Sequence, residues 1–172
     1  MNSLKSVMMS MRSLVVALCA AACALFVSSC SNGVVYDEYV SIAKTGWDKD
    51  TLAIFRADVQ DTLGVYDIML QVRNDNEYSF SNLWLFIDVI APDGHSRRDT
   101  VECILARTDG AWLGGGWGSL YNERCPYMSR VRFSAAGPYT FRITQGMRAD
   151  NLVGIHDIGL LIEQHEEPEV VR

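Results

Sequence analysis

No apolar run in this 172-residue chain is long enough to cross a bilayer as a helix. Residues 14–27 are continuously apolar, but they number 14, against the roughly 20 that a span requires. Metal-ligand spacing is missing as well. His95, His156 and His165 stand far from one another and from the cysteines, which argues against a zinc site. No serine sits in a Gly-x-Ser-x-Gly elbow, the setting of a hydrolase nucleophile. Crossover helices are absent from the pattern, and with them a doubly wound α/β fold. There is no internal repeat and no basic cluster.

What the chain does have begins at residue 5. Lys5 and Arg12 precede the apolar run, and Leu25-Phe26-Val27-Ser28-Ser29-Cys30 closes it. A positive start and an apolar middle are the order of a secretory signal. Small residues followed directly by cysteine are the pattern accepted by the bacterial lipoprotein signal peptidase. Residues 1–29 are therefore expected to be removed and Cys30 to carry the lipid. Residues 30–33 read as a lipidated tether, 34–164 as one domain, and 165–172, with Glu166-Glu167-Pro168-Glu169, as a disordered tail. Ser31 follows the lipidated position and no early acidic run succeeds it. That favours the outer membrane, facing the periplasm.

Losing Lys5 and Arg12 leaves 15 − 2 = 13 basic side chains against 21 acidic ones, a formal charge of −8. Such a domain is poorly suited to nucleic acid or to anionic headgroups, so membrane attachment falls to the acyl chains. Of the five cysteines, only Cys103 and Cys125 remain once the signal is removed and Cys30 is lipidated. They are either a candidate disulfide, which the compartment permits, or two buried thiols.

Eight segments read as strands separated by Gly, Pro, Asn and Asp. They are residues 34–41, 52–60, 66–73, 83–90, 100–105, 127–133, 139–144 and 155–163. Most alternate apolar with polar, the signature of a half-buried strand. Residues 83–90 are almost continuously apolar, which reads as burial on both faces. The pattern predicts an all-β antiparallel sandwich, immunoglobulin-like or jelly-roll-like. Residues 147–153 and part of 107–122 read as helical or turn-like.

Candidate chemistry is sparse. The loop Asp109-Gly110-Ala111-Trp112-Leu113-Gly114-Gly115-Gly116-Trp117-Gly118 lacks the downstream lysine of a phosphate cradle. Its tryptophans either cover one end of the sandwich or form a platform for a partner or a sugar ring. His156 and Asp157 are neighbours, so on a strand they face opposite sides and cannot orient each other. Among the carboxylates Asp37, Glu38, Asp67, Asp88, Asp99 and Glu102, Asp88 stands out for lying inside an apolar run. It reads as a buried, hydrogen-bonded group or an interface residue. A hydrolase would need two of them, or a Ser–His pair, in one cleft.

Several motifs, in order, resemble the gliding motility lipoprotein GldH family of Bacteroidetes. They include Val35-Tyr36-Asp37-Glu38-Tyr39, Gly46-Trp47-Asp48-Lys49-Asp50, and Arg73-Asn74 with Tyr78-Ser79-Phe80-Ser81-Asn82-Leu83-Trp84-Leu85. Asp99-Thr100-Val101-Glu102-Cys103 and Asp109-Gly110 with Trp112-Leu113-Gly114 follow. Gly137-Pro138-Tyr139, Gln145-Gly146-Met147-Arg148, and Leu152-Val153-Gly154-Ile155 with Asp157-Ile158-Gly159-Leu160 complete the set. The resemblance implies a lipid-anchored accessory of the gliding and type IX secretion apparatus. It implies no enzymatic activity and no cofactor, and its partners would be other envelope lipoproteins of that apparatus. Cys30 is the one residue it assigns, as the lipid acceptor; it lends no support to a Cys103–Cys125 bridge. Contact residues are expected at Trp112 and Trp117 and in the aromatic segment from Tyr78 to Trp84. The rival expectation is a glycan-binding module in which Trp47, Trp112 or Trp117 stacks on sugar.

Overall fold

The computed structural model describes residues 33–166. In chain order the strands are β1 (Val34–Ser41), β2 (Trp47–Asp48), β3 (Ala53–Val59), β4 (Tyr66–Asn74), β5 (Asn82–Ile90) and β6 (Ser96–Ile104). They continue as β7 (Gly115–Trp117), β8 (Leu120–Val131), β9 (Gly137–Gln145), β10 (Asn151–Leu152) and β11 (Ile155–Gln164). One sheet runs β1-β11-β4-β8-β7, a second β3-β9-β5-β6, and β10 pairs with β2. The eight long strands are those expected from the sequence, and all pairings are antiparallel. The three additions, β2, β7 and β10, have only two or three residues each, too few to show a period.

The pairing of the long strands is nested. The first pairs with the last (β1 with β11), the second with the seventh (β3 with β9), and so inward to β5 with β6. One long hairpin has thus been rolled over on itself, bringing β11 beside β4 and β5 beside β9. That is a jelly roll. An immunoglobulin order would set the first strand beside the second.

Alternation drives the burial. In β3, Ala53, Phe55, Ala57 and Val59 face inward while Ile54, Arg56 and Asp58 face solvent. In β4, Tyr66, Ile68, Leu70 and Val72 do the same from the opposite sheet. Phe55, Leu70, Leu85, Ile87, Phe141, Ile143, Ile158 and Leu160 meet between the sheets at 1% exposure or less. Each such side chain is worth about 1.5–3 kcal/mol over leaving it in water. One expectation is corrected here. The run in β5 is not buried on both faces: Leu83, Leu85 and Ile87 point in, but Trp84 and Phe86 point out and are each 38% exposed.

The sandwich has two ends. Gly33, residues 59–66, 90–96 and 131–137, and Gln164 gather at the end where the chain enters the domain. Residues 42–52, 75–81, 105–119 and 146–154 gather at the other, the distal end. A ten-residue strand such as β11 separates them by about 33 Å. At the entering end Tyr66, Phe133 and Tyr139 stack edge to face, with centroids 5.4 and 4.7 Å apart. Phe133 does this from beyond β8, which ends at Val131 rather than reaching residue 133. Arg130, at φ 57°, turns the chain just before that end.

Asp67 holds the same region. Its Oδ1 accepts from Ser129 Oγ at 2.6 Å and Arg130 N at 2.9 Å, and Oδ2 faces His165 Nδ1 at 2.7 Å. His165 also donates its backbone N–H to Val65 O at 2.8 Å. It is therefore part of the folded domain and not the start of a tail; residues 167–172 lie outside the described residues. Burial opposes the Asp67 charge, but the bonds from Ser129, His165 and Arg130 outweigh it and hold the carboxyl below the ordinary range. A carboxyl depressed by folding stabilises the protein above its unfolded pKa, about 3.9, and ceases to do so as pH falls through its folded value. An Asp67→Asn chain should lose stability at pH 7 and show a flatter acid limb. Urea midpoints of the two proteins, measured from pH 7 down to pH 2.5, should converge at the acid end.

Candidate interaction surface

The distal end is built from loops that bind one another. Gln145 is buried, and its Nε2 donates to Ala149 O while its Oε1 accepts from Met147 N, both at 2.8 Å. One side chain thus closes the turn after β9. Gly146 N donates to Trp84 O at 2.7 Å, carrying the pairing on past the strand end. Ser81 O accepts from Leu105 N at 2.8 Å and from Ala106 N at 3.0 Å. Asp75 N donates to Gly154 O at 2.9 Å, and the Asp75 carboxylate faces His156 Nε2 at 2.7 Å. Trp47 lies beneath, fully buried, its Nε1 donating to Thr51 O at 3.0 Å.

Several candidate residues occupy places the sequence did not foresee. Tyr78 is 3% exposed and donates to Asn82 O at 2.8 Å; it is a core residue and not a contact. Trp47 is likewise closed to any sugar. Trp112 is half-buried, with Nε1 donating to Asn76 Oδ1 at 2.9 Å and its ring tilted against Tyr78 and Tyr121. It covers this end of the sandwich. In the glycine loop, a Cβ on Gly116 would stand 1.8 Å from Leu120 O, so that glycine allows β7 to approach β8. The side chain of Trp117, and Cys30, lie outside the described residues. Cys103 and Cys125 are buried, unbonded thiols. Among the described tryptophan side chains, Trp84 is the exposed one, at 38%.

The candidate carboxylates do not converge. Asp37 accepts from Gln71, Glu38 from Tyr36, Glu102 from Asn82, and Asp99 from Tyr127. Asp88 is neither buried nor alone: it is 29% exposed and takes two bonds of 2.6 Å from Arg98. His156 and Asp157 part company as expected, since Asp157 accepts from Ser41 Oγ at 2.7 Å. Among the described residues no group of three His, Cys, Asp or Glu is placed to hold a metal.

What the structure does gather is exposed apolar surface. Twelve large apolar side chains are exposed among the described residues, and nine belong to the distal half. Phe80, Trp84, Phe86, Ile54 and Ile104, 38–49% exposed, lie on or beside the outer face of the four-stranded sheet. Leu52, Leu113, Leu120 and Val153 rim the loops. A groove of about 510 Å³ runs between Phe80, Trp84 and Met147, floored by Asn82 and Thr100 and bounded by Arg148. Its lining has no carboxylate, imidazole or thiol. Phe86, Ile54 and Ile104 were not among the sequence candidates. The signal available was that Trp84 and Phe86 share a parity in β5 opposite to that of Leu83, Leu85 and Ile87.

Comparison with known proteins follows the same lines. The chain is 38% identical over 146 residues to the gliding motility lipoprotein GldH homolog of Christiangramia forsetii, covering 81% of this chain and 89% of that one. It is 33% identical over 150 residues to the gliding motility lipoprotein GldH of Flavobacterium johnsoniae, covering 83% and 92%. Among solved structures, that of the infectious bursal disease virus Gx strain is similar at a TM-score of 0.34 and 14% identity. It covers 78% of this chain and 31% of that one, and the likeness carries no argument. The model of the GldH lipoprotein family matches residues 34–162, nearly the whole of the jelly roll, and the chain belongs to that family.

Proposed function

We propose that this chain is a noncatalytic accessory of the gliding and type IX secretion machinery, held at the periplasmic face of the outer membrane by acyl chains on Cys30. It works by protein contacts made through the distal half of the sandwich. The observation that carries this reading is the concentration of exposed apolar side chains there, around Phe80, Trp84, Phe86 and Ile104. Patches of this kind mark interaction sites. The chain enters the domain at Gly33, at the end of the sandwich away from this patch. Confinement to a membrane raises the effective concentration of anchored partners, which lets weak contacts suffice.

The test is a pair of full-length variants in their own cells. Trp84→Glu/Phe86→Glu changes two exposed side chains and should leave the fold intact by circular dichroism. It should stay in the membrane fraction yet lose at least about tenfold in crosslinking to other envelope lipoproteins. Cys30→Ala should do the reverse, leaving the membrane fraction with its fold intact. Wild-type crosslinking by the double variant would overturn the contact surface; retention of Cys30→Ala after a carbonate wash would overturn the tether. Saturable binding of envelope glycan fragments at Trp84 would move the reading to a glycan module.

A further inference from the structure

Cys103 and Cys125 face each other across the gap between the two sheets. Cys103 is on the inner side of β6 at 0% exposure, and Cys125 on the inner side of β8 at 5%. Their strands belong to different sheets, yet the two thiols are near enough to interact. The same margin is fixed by two other contacts. Tyr127 of β8 donates to Asp99 of β6 at 2.5 Å, and Arg97 of β6 donates to the Met128 sulfur at 3.2 Å. Two buried thiols brought face to face by strands already tied together are a setting in which a disulfide can form.

We propose that in the exported protein Cys103 and Cys125 are joined as a disulfide that links the two sheets at the base of loop 105–119. This rests on export of the chain, and is independent of which surface meets a partner. The oxidant is the disulfide of a thiol oxidase of the envelope. One cysteine, as thiolate, attacks that disulfide and expels one oxidase sulfur as a thiol. The second cysteine then attacks the mixed disulfide and expels the other. The pair loses two electrons and two protons, and the oxidase disulfide becomes two thiols.

The structure also sets the timing. The Cys125 thiol beside it, together with burial, pushes the Cys103 thiol far above its ordinary range. Both cysteines are closed to solvent in the folded domain, so exchange belongs to the interval before the sheets close. Once made, the bond is shielded from reductant. It closes a ring around the loop that carries Trp112 and Leu113, and so stiffens the distal end.

The experiment takes the full-length protein from the envelope fraction of its own cells, quenched in acid. It is alkylated under denaturing conditions before and after reduction, and the peptides are read by mass spectrometry. Cys103 and Cys125 should be modified only after reduction. Reduction should lower the melting temperature of the wild-type domain by about 5–10 °C. A Cys125→Ser chain should show the same lowering with no further response to reductant, and its Cys103 should be alkylated at once. Full alkylation of both cysteines before reduction would overturn the proposal while leaving the contact surface standing. A wild-type melting temperature unchanged by reduction under denaturing conditions followed by refolding would overturn it as well.

Discussion

Trp47→Ala is expected to cost about 3–5 kcal/mol, the range for deleting a large buried aromatic. Trp47 is 0% exposed in the two-residue strand β2, opposite Leu152 of β10. Its ring closes the distal end of the core, and its Nε1 satisfies the carbonyl of Thr51. Truncation leaves a void that the surrounding strands cannot fill and an acceptor without its donor. Urea denaturation should show a much lower midpoint with an unchanged slope. Trp84→Ala is the comparison that gives this meaning. Trp84 is 38% exposed, so its loss should cost clearly less, about 1–3 kcal/mol. Equal costs for the two would mean that the end of the sandwich is not closed as described.

Gly154→Ala should destabilise by about 3 kcal/mol or more. Gly154 has φ +84°, where an L-residue costs about 1–2 kcal/mol. A Cβ there would also stand 2.2 Å from Tyr78 N and 2.7 Å from Glu77 C, both backbone atoms that no rotamer change can move. Gly94→Ala separates the two effects. Gly94 has a similar φ of +87° with nothing within 4 Å of its Cβ, so it should show the conformational cost alone. The difference between the variants measures how tightly the 153–154 turn is seated on residues 75–78. Because Tyr78 packs on Trp112, tryptophan fluorescence should change in Gly154→Ala and stay constant in Gly94→Ala.

Much of this architecture is written in the sequence because alternation is a local code. Tyr66, Ile68, Leu70 and Val72 against Asp67, Met69, Gln71 and Arg73 state a strand and its inner face without reference to anything distant. The Ala91-Pro92-Asp93-Gly94 turn is equally local, and it closes as expected, with Gly94 N donating to Ala91 O at 3.0 Å. Where the period vanishes, so does the information. A continuous apolar run says nothing about which parity faces out, and that hid Trp84 and Phe86. Aromatics in loops read as exposed, yet Trp47 and Tyr78 are buried because four loops converge on them. The early start of β8 at Leu120 escaped because its polar residues 121–124 do not alternate cleanly. The meeting of Cys103 with Cys125 depends on how the hairpin rolls, which no local pattern encodes.

The nested pairing carries a consequence for biogenesis. A chain threaded outward from its amino terminus delivers β1 first and β11 last, and those two are mutual neighbours. β11 is also the seam between β1 and β4, so the larger sheet cannot close until the ten residues of β11 have emerged. The polypeptide must therefore stay unfurled until its own last strand arrives. A truncation removing β11 should leave an unfolded chain destined for proteolysis, not a smaller working domain.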